Sequence, residues 1–462
     1  MRGDRQSDGL RWASSETNAP TAVLAAHYEA VVIRCAREGV VASICVVGLG
    51  YVGLPTASML ASRGHDVYGF DTNERTVREL SEGRTDIREP ELDTLVEVAA
   101  GSGHLRCGTT AKPADVFIIA VGTPIKADHS ADLDAVRAAA RSVAGVLKRG
   151  DLVILESTVP PGTTAGPLRE ILETSGLRAG ADFHLSHCPE RVLPGNLILE
   201  LVTNDRIIGG IDEASSRASS EVYRSFVTGK LLETDATTAE LVKLMENTFR
   251  DVNIALANEF ALIAERLGID VWEAIRLAGH HPRVKFMSPG PGVGGHCIPV
   301  DPWFVVEAAP DLAKLIATAR AVNDGMPEHV VQLVRAALTD LTGAIIVTLG
   351  MTYKADVTDT RESPAAHVID ALRHHGATVR AHDALISPEP AVGDLATGAD
   401  ALVLLVDHNA YTQLDAQVLA GRMRRRIVVD TQGKLDRDAW RAAGFAVIVL
   451  GESRLRARPS GQ

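Results

Sequence analysis

The chain has 462 residues, with 47 Lys and Arg against 59 Asp and Glu and a formal charge of -12. An acidic balance attracts neither nucleic acid nor an anionic membrane, so an anionic ligand must be held by local charge. Five scattered cysteines, Cys35, Cys45, Cys107, Cys188 and Cys297, indicate neither a disulfide framework nor a metal site.

No apolar run approaches the roughly 18 residues of a membrane span, and a soluble protein of a reducing cytoplasm is expected. At about one domain per 150 residues, the length predicts two or three domains. Residues 1–42 read as a flexible N-terminal extension with a short amphipathic helix over 22–37. From Ser43 the pattern sharpens: Ile44-Cys-Val-Val47 is a buried-strand run leading into Gly48-Leu-Gly-Tyr-Val-Gly53. A helix over 54–63 and a strand over 66–70 follow, and Asp71 stands 18 residues beyond the third glycine. Strand, glycine turn, helix, strand and acid form the dinucleotide pattern. Gly48 permits the tight turn, Gly50 lets backbone amides reach a pyrophosphate, and Gly53 lets the helix pack close to the sheet. Asp71 would bond both ribose hydroxyls and repel a 2′-phosphate, so NAD is expected over NADP.

Strands over 115–121 and 152–155, with a helix over 132–147 between them, predict a parallel, doubly wound sheet. Ligands of such sheets bind outside the carboxyl ends of strands, which makes Thr123 and Thr158 cofactor-side candidates; turn and cap chemistry uses threonine equally well. The turn Ser186-His-Cys-Pro-Glu-Arg-Val-Leu-Pro-Gly195 brings Glu190 and Arg191 together, and adjacent opposite charges are commonly just solvated. The pattern over 236–268 is one long helix. Its stripe of Leu241, Leu244, Met245, Phe249, Val252, Ala255, Leu256 and Phe260 suits an inter-domain strut or dimer interface. Lys243, Asn247 and Arg250, at i, i+4 and i+7, share another face. That face either fixes an oxygen that becomes charged or is simply solvated.

In Pro289-Gly-Pro-Gly-Val-Gly-Gly-His-Cys-Ile-Pro-Val-Asp301-Pro302, glycine and proline crowd one thiol, with a carboxylate four residues on. A rigid loop displaying a nucleophile has this composition, and so does a surface turn with a buried cysteine. A further long helix over 311–341 precedes a second α/β pattern, with strands over 344–349, 378–381, 401–406, 427–429 and 446–450. It lacks a full glycine fingerprint and carries a polar loop, Met351 to Pro364, suited to a nucleotide. The tail over 454–462 reads as frayed. The expected fold is α/β: two Rossmann-like doubly wound domains, 43–235 and 326–462, joined over 236–325 by a long central helix and a helical dimerisation region.

Over roughly 43–451 these motifs, agreeing in order and spacing, resemble the UDP-glucose/GDP-mannose dehydrogenase family. Cys188 to Gly195, Asn204-Asp-Arg-Ile-Ile-Gly-Gly210, His281-Pro-Arg-Val284 and Pro289 to Trp303 resemble most the branch acting on UDP-N-acetyl-D-mannosamine. The resemblance implies oxidation of a sugar C6 alcohol to a carboxylate with two NAD reduced per turnover. Cys297 would carry a thiohemiacetal and then a thioester. Lys243 would exchange the proton of the C6 oxygen and, with Asn247, hold the oxyanion; Asp301 would orient water and Lys243, and Glu190 would assist hydrolysis. It also implies cofactor contacts from Tyr51, Val52, Asp71, Arg75, Thr123, Thr158 and, across from the second domain, Arg361. Substrate contacts would come from Arg191, Val192, Lys243, Asn247, Arg250, His281, Arg283, Gly294, Tyr353, Lys354 and Lys434, with His281 and Arg283 supplied by the neighbouring subunit of a homodimer. One departure is Pro194, where UDP-glucose enzymes carry a second glutamate. UDP-N-acetyl-D-glucosamine and UDP-glucose remain open as substrates. Two rivals are a two-domain hydroxyacid dehydrogenase, which needs no thiol, and a nucleotide-sugar sensor without chemistry.

Overall fold

The computed structural model describes residues 42–193 and 195–452. The extension with its helix over 22–37, Pro194 and the tail over 454–462 lie outside the described residues.

The first sheet has eight strands: β1 (Ser43–Val47), β2 (Asp66–Phe70), β3 (Leu105–Gly108), β4 (Val116–Ile119), β5 (Leu152–Leu155), β6 (His184–His187), β7 (Arg206–Gly210) and β8 (Leu231–Asp235). They run in the order β3-β2-β1-β4-β5-β6-β7-β8. Every pairing is parallel except β6 with β7, where Ser186 lies opposite Gly210. The central strands β4 and β5 are apolar at every position because helices cover both faces. Ile44, Val46, Ile118 and Ile154 point into one core, and Cys45, Val47, Ile119 and Leu155 into the other, as a period of two requires. Helix α1 (Gly53–Ser62) packs Leu54, Ala57 and Leu60 into the first of these.

The second sheet, β9 (Ile345–Leu349), β10 (Thr378–His382), β11 (Ala401–Leu404), β12 (Ile427–Asp430) and β13 (Ala446–Val449), is wholly parallel, in the order β10-β9-β11-β12-β13. Its first turn repeats that of the other sheet. Gly48 at φ 92° donates to Phe70 O at 2.8 Å while Leu49 N–H reaches Asp71 at 2.8 Å. Gly350 at φ 95° donates to His382 O at 2.8 Å while Met351 N–H reaches Asp383 at 2.7 Å. Asp383, however, also accepts from Leu385 N–H at 2.9 Å and meets the buried His408 ring at 3.1 Å.

Three helices join the sheets: α2 (Ala236–Leu267), α3 (Asp301–Ala308) and α4 (Lys314–Leu338). Asp235 starts α2 by accepting from Thr238 N–H at 2.9 Å, and Gly268, left-handed at φ 80°, ends it. Ala261 and Ala264 of α2 let α4 pack close with Met326, Val330 and Val334. Between the helices lies a buried polar chain. Arg320 donates to Asp251 at 2.6 Å, Asn323 to the same carboxylate at 2.8 Å, Asn258 to Asn323 at 2.9 Å, and Gly290 N–H to Asn258 at 2.8 Å. Arg320, Asp251, Asn323 and Asn258 are each at most 2% exposed.

Removing one partner of a buried pair strands the other charge, so Arg320→Met is expected to destabilise by about 3–5 kcal/mol. Adding Asp251→Leu should recover most of that loss. Calorimetric unfolding of the single and double variants checks it, and a single variant as stable as the parent would refute the role given to the pair.

Candidate active site

The turn after β1 is built for close approach. A Cβ at Gly53 would overlap the Gly48 carbonyl, whereas one at Gly50 would meet nothing within 4 Å, leaving open surface above the backbone amides at the start of α1. Asp71 accepts from both Leu49 N–H and Asn73 N–H at 2.8 Å, which fixes its carboxylate at the end of β2 beside the glycine turn. Tyr51, next to Val52 in that turn, donates to Glu89, and Glu89 accepts from Gly195 N–H at 2.9 Å. Thr123 donates to the Thr158 carbonyl at 2.6 Å, tying the ends of β4 and β5 together. The open glycine turn with an acid at the end of β2 fits an adenine dinucleotide. Arg75 is turned away, 67% exposed and paired with Glu79 at 2.8 Å.

The cysteine loop runs between this surface and the second domain. A Cβ at Gly294 would sit 2.6 Å from Glu362 O and 2.9 Å from Tyr353 Cβ, so only glycine passes there. Gly295 N–H donates to Arg361 O at 3.2 Å. The Arg361 guanidinium clasps Asp359 at 2.6 and 3.0 Å, and His296 lies 4.0 Å from Asp359 with its ring 6.0 Å from that of Tyr51. Glycine turn, cysteine loop and the loop after β9 thus share one seam.

Four side chains expected at the chemistry come together. The Cys297 carbonyl accepts from Asp301 N–H at 2.8 Å, setting Asp301 in the first turn of α3, and Asn247 donates to the Asp301 carboxylate at 2.6 Å. Burial pushes Asp301 up to about 6, against the pull of Lys243 and the bond from Asn247. Burial, reinforced by Asp301, pushes the Cys297 thiol up to about 11, while Lys243, Arg361 and Arg250 pull it down. A thiol on a fixed loop facing three cations can be drawn into its anionic form when a reaction needs it.

Beside them opens a cleft of about 390 Å³ lined by Arg191, Val192, Asp205, Lys243, Glu246, Asn247 and Arg250 among others. Arg191 clasps Glu246 with two donors, Nε at 2.9 Å and Nη2, and its Nη1 reaches the Asp205 carbonyl at 2.8 Å. Glu190 is turned inward, 9% exposed, toward the buried Arg206 at 3.5 Å. Arg206 also meets Glu156 at 3.4 Å and lies 4.5 Å over the Tyr223 ring. The cleft does not gather every expected residue. Tyr353 stands behind Gly294 and Gly295, Lys354 is exposed, Lys434 pairs with Asp407 at 3.5 Å, and His281 and Arg283 are exposed on a loop after the helix Val271–Ala278.

Sequence reasoning missed Glu246, although it lies at i+3 from Lys243 on the same helix face. It also missed Glu240 one turn earlier, which accepts from Thr164 N–H at 2.7 Å and from Gly162 N–H and so fastens the Thr158 turn to α2. No local pattern signals a contact between residues that far apart.

Residues 42–227, 237–325 and 347–437 match the NAD binding, central and UDP binding domains of the UDP-glucose/GDP-mannose dehydrogenase family. The chain is 47% identical over 428 residues, 90% of its length and 98% of the relative's, to a UDP-N-acetyl-D-mannosamine dehydrogenase of Methanocaldococcus jannaschii. It is 45% identical over 412 residues, 85% of its length and 96% of the relative's, to an NDP-N-acetyl-D-galactosaminuronic acid dehydrogenase of Ralstonia solanacearum. The solved structure of a UDP-D-ManNAc dehydrogenase from Pyrococcus horikoshii superposes with a TM-score of 0.85 at 43% identity, covering 88% of this chain and 99% of that one.

A carboxylate raised to about 6 loses its charge as the pH falls through that value, and protonated Asp301 no longer accepts freely from Asn247 or balances Lys243. Dehydrogenase turnover should therefore decline on the acid side with a midpoint near pH 6, and Asp301→Asn should be slower with that limb absent. An unaltered limb in the variant's pH profile would assign it to another group.

Proposed function

The chain belongs to the UDP-glucose/GDP-mannose dehydrogenase family and is an NAD-dependent nucleotide-sugar dehydrogenase, and from that premise we propose that it oxidises the C6 alcohol of UDP-N-acetyl-D-mannosamine to the carboxylate in two steps. The observation that carries this is the meeting of Cys297, Asp301, Asn247 and Lys243 beside one cleft. NAD supplies the acceptor for both hydrides. In the first oxidation Lys243, having given a proton to solvent, takes the hydroxyl proton and the alcohol becomes an aldehyde. The Cys297 sulfur, its proton passed to water, then bonds to C6; the former carbonyl oxygen takes the electron pair, and Lys243 and Asn247 hold it. Loss of the second hydride leaves a thioester on Cys297. Water oriented by Asp301 attacks it, with Glu190 nearby on Arg206, and the carbon–sulfur bond breaks to release the carboxylate and return the sulfur.

The sugar follows from the cleft and the relatives together. The names of the two relatives both carry an N-acetyl group. Arg191 and Arg250 offer guanidinium donors there, and an acetamide carbonyl is an acceptor that a C2 hydroxyl does not replace. Leaving such a donor unpaired costs about 1–3 kcal/mol, roughly tenfold to more than a hundredfold in kcat/KM. Epimers at C2 carry the same groups, so UDP-N-acetyl-D-glucosamine ranks second. Met245, Phe249 and Leu267, 58%, 69% and 68% exposed along α2, support a homodimer, and exposed His281 and Arg283 suit a contribution to the partner's cleft. The free cysteines Cys45, Cys107, Cys188 and Cys297 suit a cytoplasmic setting. We divide the chain into dinucleotide (43–235), central (236–325) and UDP-sugar (326–462) parts.

Initial rates of NADH formation should rank UDP-N-acetyl-D-mannosamine first, its C2 epimer second and UDP-glucose last; UDP-glucose in first place would overturn the sugar assignment. The parent protein should yield two NADH per sugar. Cys297→Ala should lose overall turnover by several orders of magnitude and release at most traces of aldehyde, and an undiminished rate would end the covalent mechanism.

A further inference from the structure

Arg191 and Glu246 meet at the cleft from separate elements, the loop after β6 and helix α2, and neither is sealed: their side chains are 27% and 38% exposed. Both Glu246 oxygens are taken by Arg191. Arg250, one turn further along α2 at i+4, is an equally accessible partner on spacing alone, yet neither it nor Lys243 makes an ion pair with a described carboxylate. The cleft therefore holds the balanced pair Arg191–Glu246, Lys243 facing the Asp301 carboxylate, and Arg250 with no ion pair to a described carboxylate. A guanidinium has five N–H donors, and Arg191 uses three on Glu246 and the Asp205 carbonyl. Its remaining donors are free to bond, but beside a carboxylate they attract an anion poorly.

We propose that Glu246 is a specificity-determining positioning residue: by neutralising and aiming Arg191, it makes that arginine a reader of a neutral acceptor, the 2-acetamido carbonyl, and leaves the diphosphate to Arg250. The proposal rests on the acetamido-sugar reading above for its substrate and on the Arg191–Glu246 geometry for its mechanism. A cleft with three unpaired cations would draw the diphosphate into several registers. With Arg191 balanced by Glu246 and Lys243 facing Asp301, the anion has a single place to sit, at Arg250, and the sugar ring presents C6 to Cys297 and C2 to Arg191.

Glu246→Gln keeps the size and an acceptor for Arg191 but removes the charge. Titration with UDP alone, without sugar or cofactor, should show the variant binding about fivefold more tightly than the parent, since an exposed pair is worth up to about 1 kcal/mol. With the 2-acetamido sugar, KM should rise about tenfold while kcat changes little, and with UDP-glucose KM should not rise, so the preference between the two collapses. Glu246→Ala should behave alike. UDP affinity unchanged or weakened in Glu246→Gln overturns the proposal, as does an equal loss with both sugars, the signature of a group that only supports the fold. Should the parent itself prefer UDP-glucose, the sugar reading falls, while the UDP titration still decides whether Glu246 screens Arg191.

Discussion

A guanidinium and a carboxylate buried between two helices set the terms for the rest of this molecule. Arg320 and Asp251 have no water to fall back on, so their bonds fix how α4 lies along α2. Asn323 and Asn258 carry the same requirement onward to Gly290 N–H, the start of the cysteine loop. Lys243 and Asn247 belong to α2, while Cys297 and Asp301 belong to the loop and the helix it enters. The register of two helices therefore decides whether a thiol and its electrostatic partners face each other.

Much of this arrangement was legible because it rests on local rules. The central strands announce themselves as short apolar runs, Gly48 to Asp71 as a turn that needs glycine, and α2 by its period. The strands β3, β6, β7 and β8 were not legible. They are four or five residues long, and their segments, such as His184-Leu-Ser-His187 and Leu231-Leu-Glu-Thr-Asp235, mix polar and apolar side chains without an apolar run. The antiparallel turn of β7 against β6 depends on tertiary pairing alone. Of the cleft, Lys243, Asn247 and Arg250 could be read from spacing on one helix. The engagement of Arg191 by Glu246, and of Glu190 by a buried Arg206, joins segments whose proximity only the fold creates.

The second domain shows the same limit from another side. It was read as Rossmann-like without a glycine fingerprint, yet Gly350 and Asp383 reproduce the turn of Gly48 and Asp71 almost bond for bond. The acid has changed partners: Asp383 would be raised by burial, but His408 and backbone N–H groups hold it well below the usual carboxylate range. A single glycine and a single acid carry too little signal to be recognised without the surrounding triplet.

The cysteine loop is held unequally on its two sides. Toward the helices it is fastened by Asn258, by the Cys297 carbonyl and by the bond of Asn247 to Asp301, all buried. Toward the second domain it has one backbone bond at 3.2 Å, a histidine 4.0 Å from a carboxylate, and the glycine contact with Glu362 and Tyr353. The second domain reaches this loop through the weaker set, while its own core is shared with α2 through Ala261 and Ala264. The position of the nucleophile is thus an inheritance from the helices that activate it, and the nucleotide side of the molecule is a wall the loop leans on rather than the frame it hangs from.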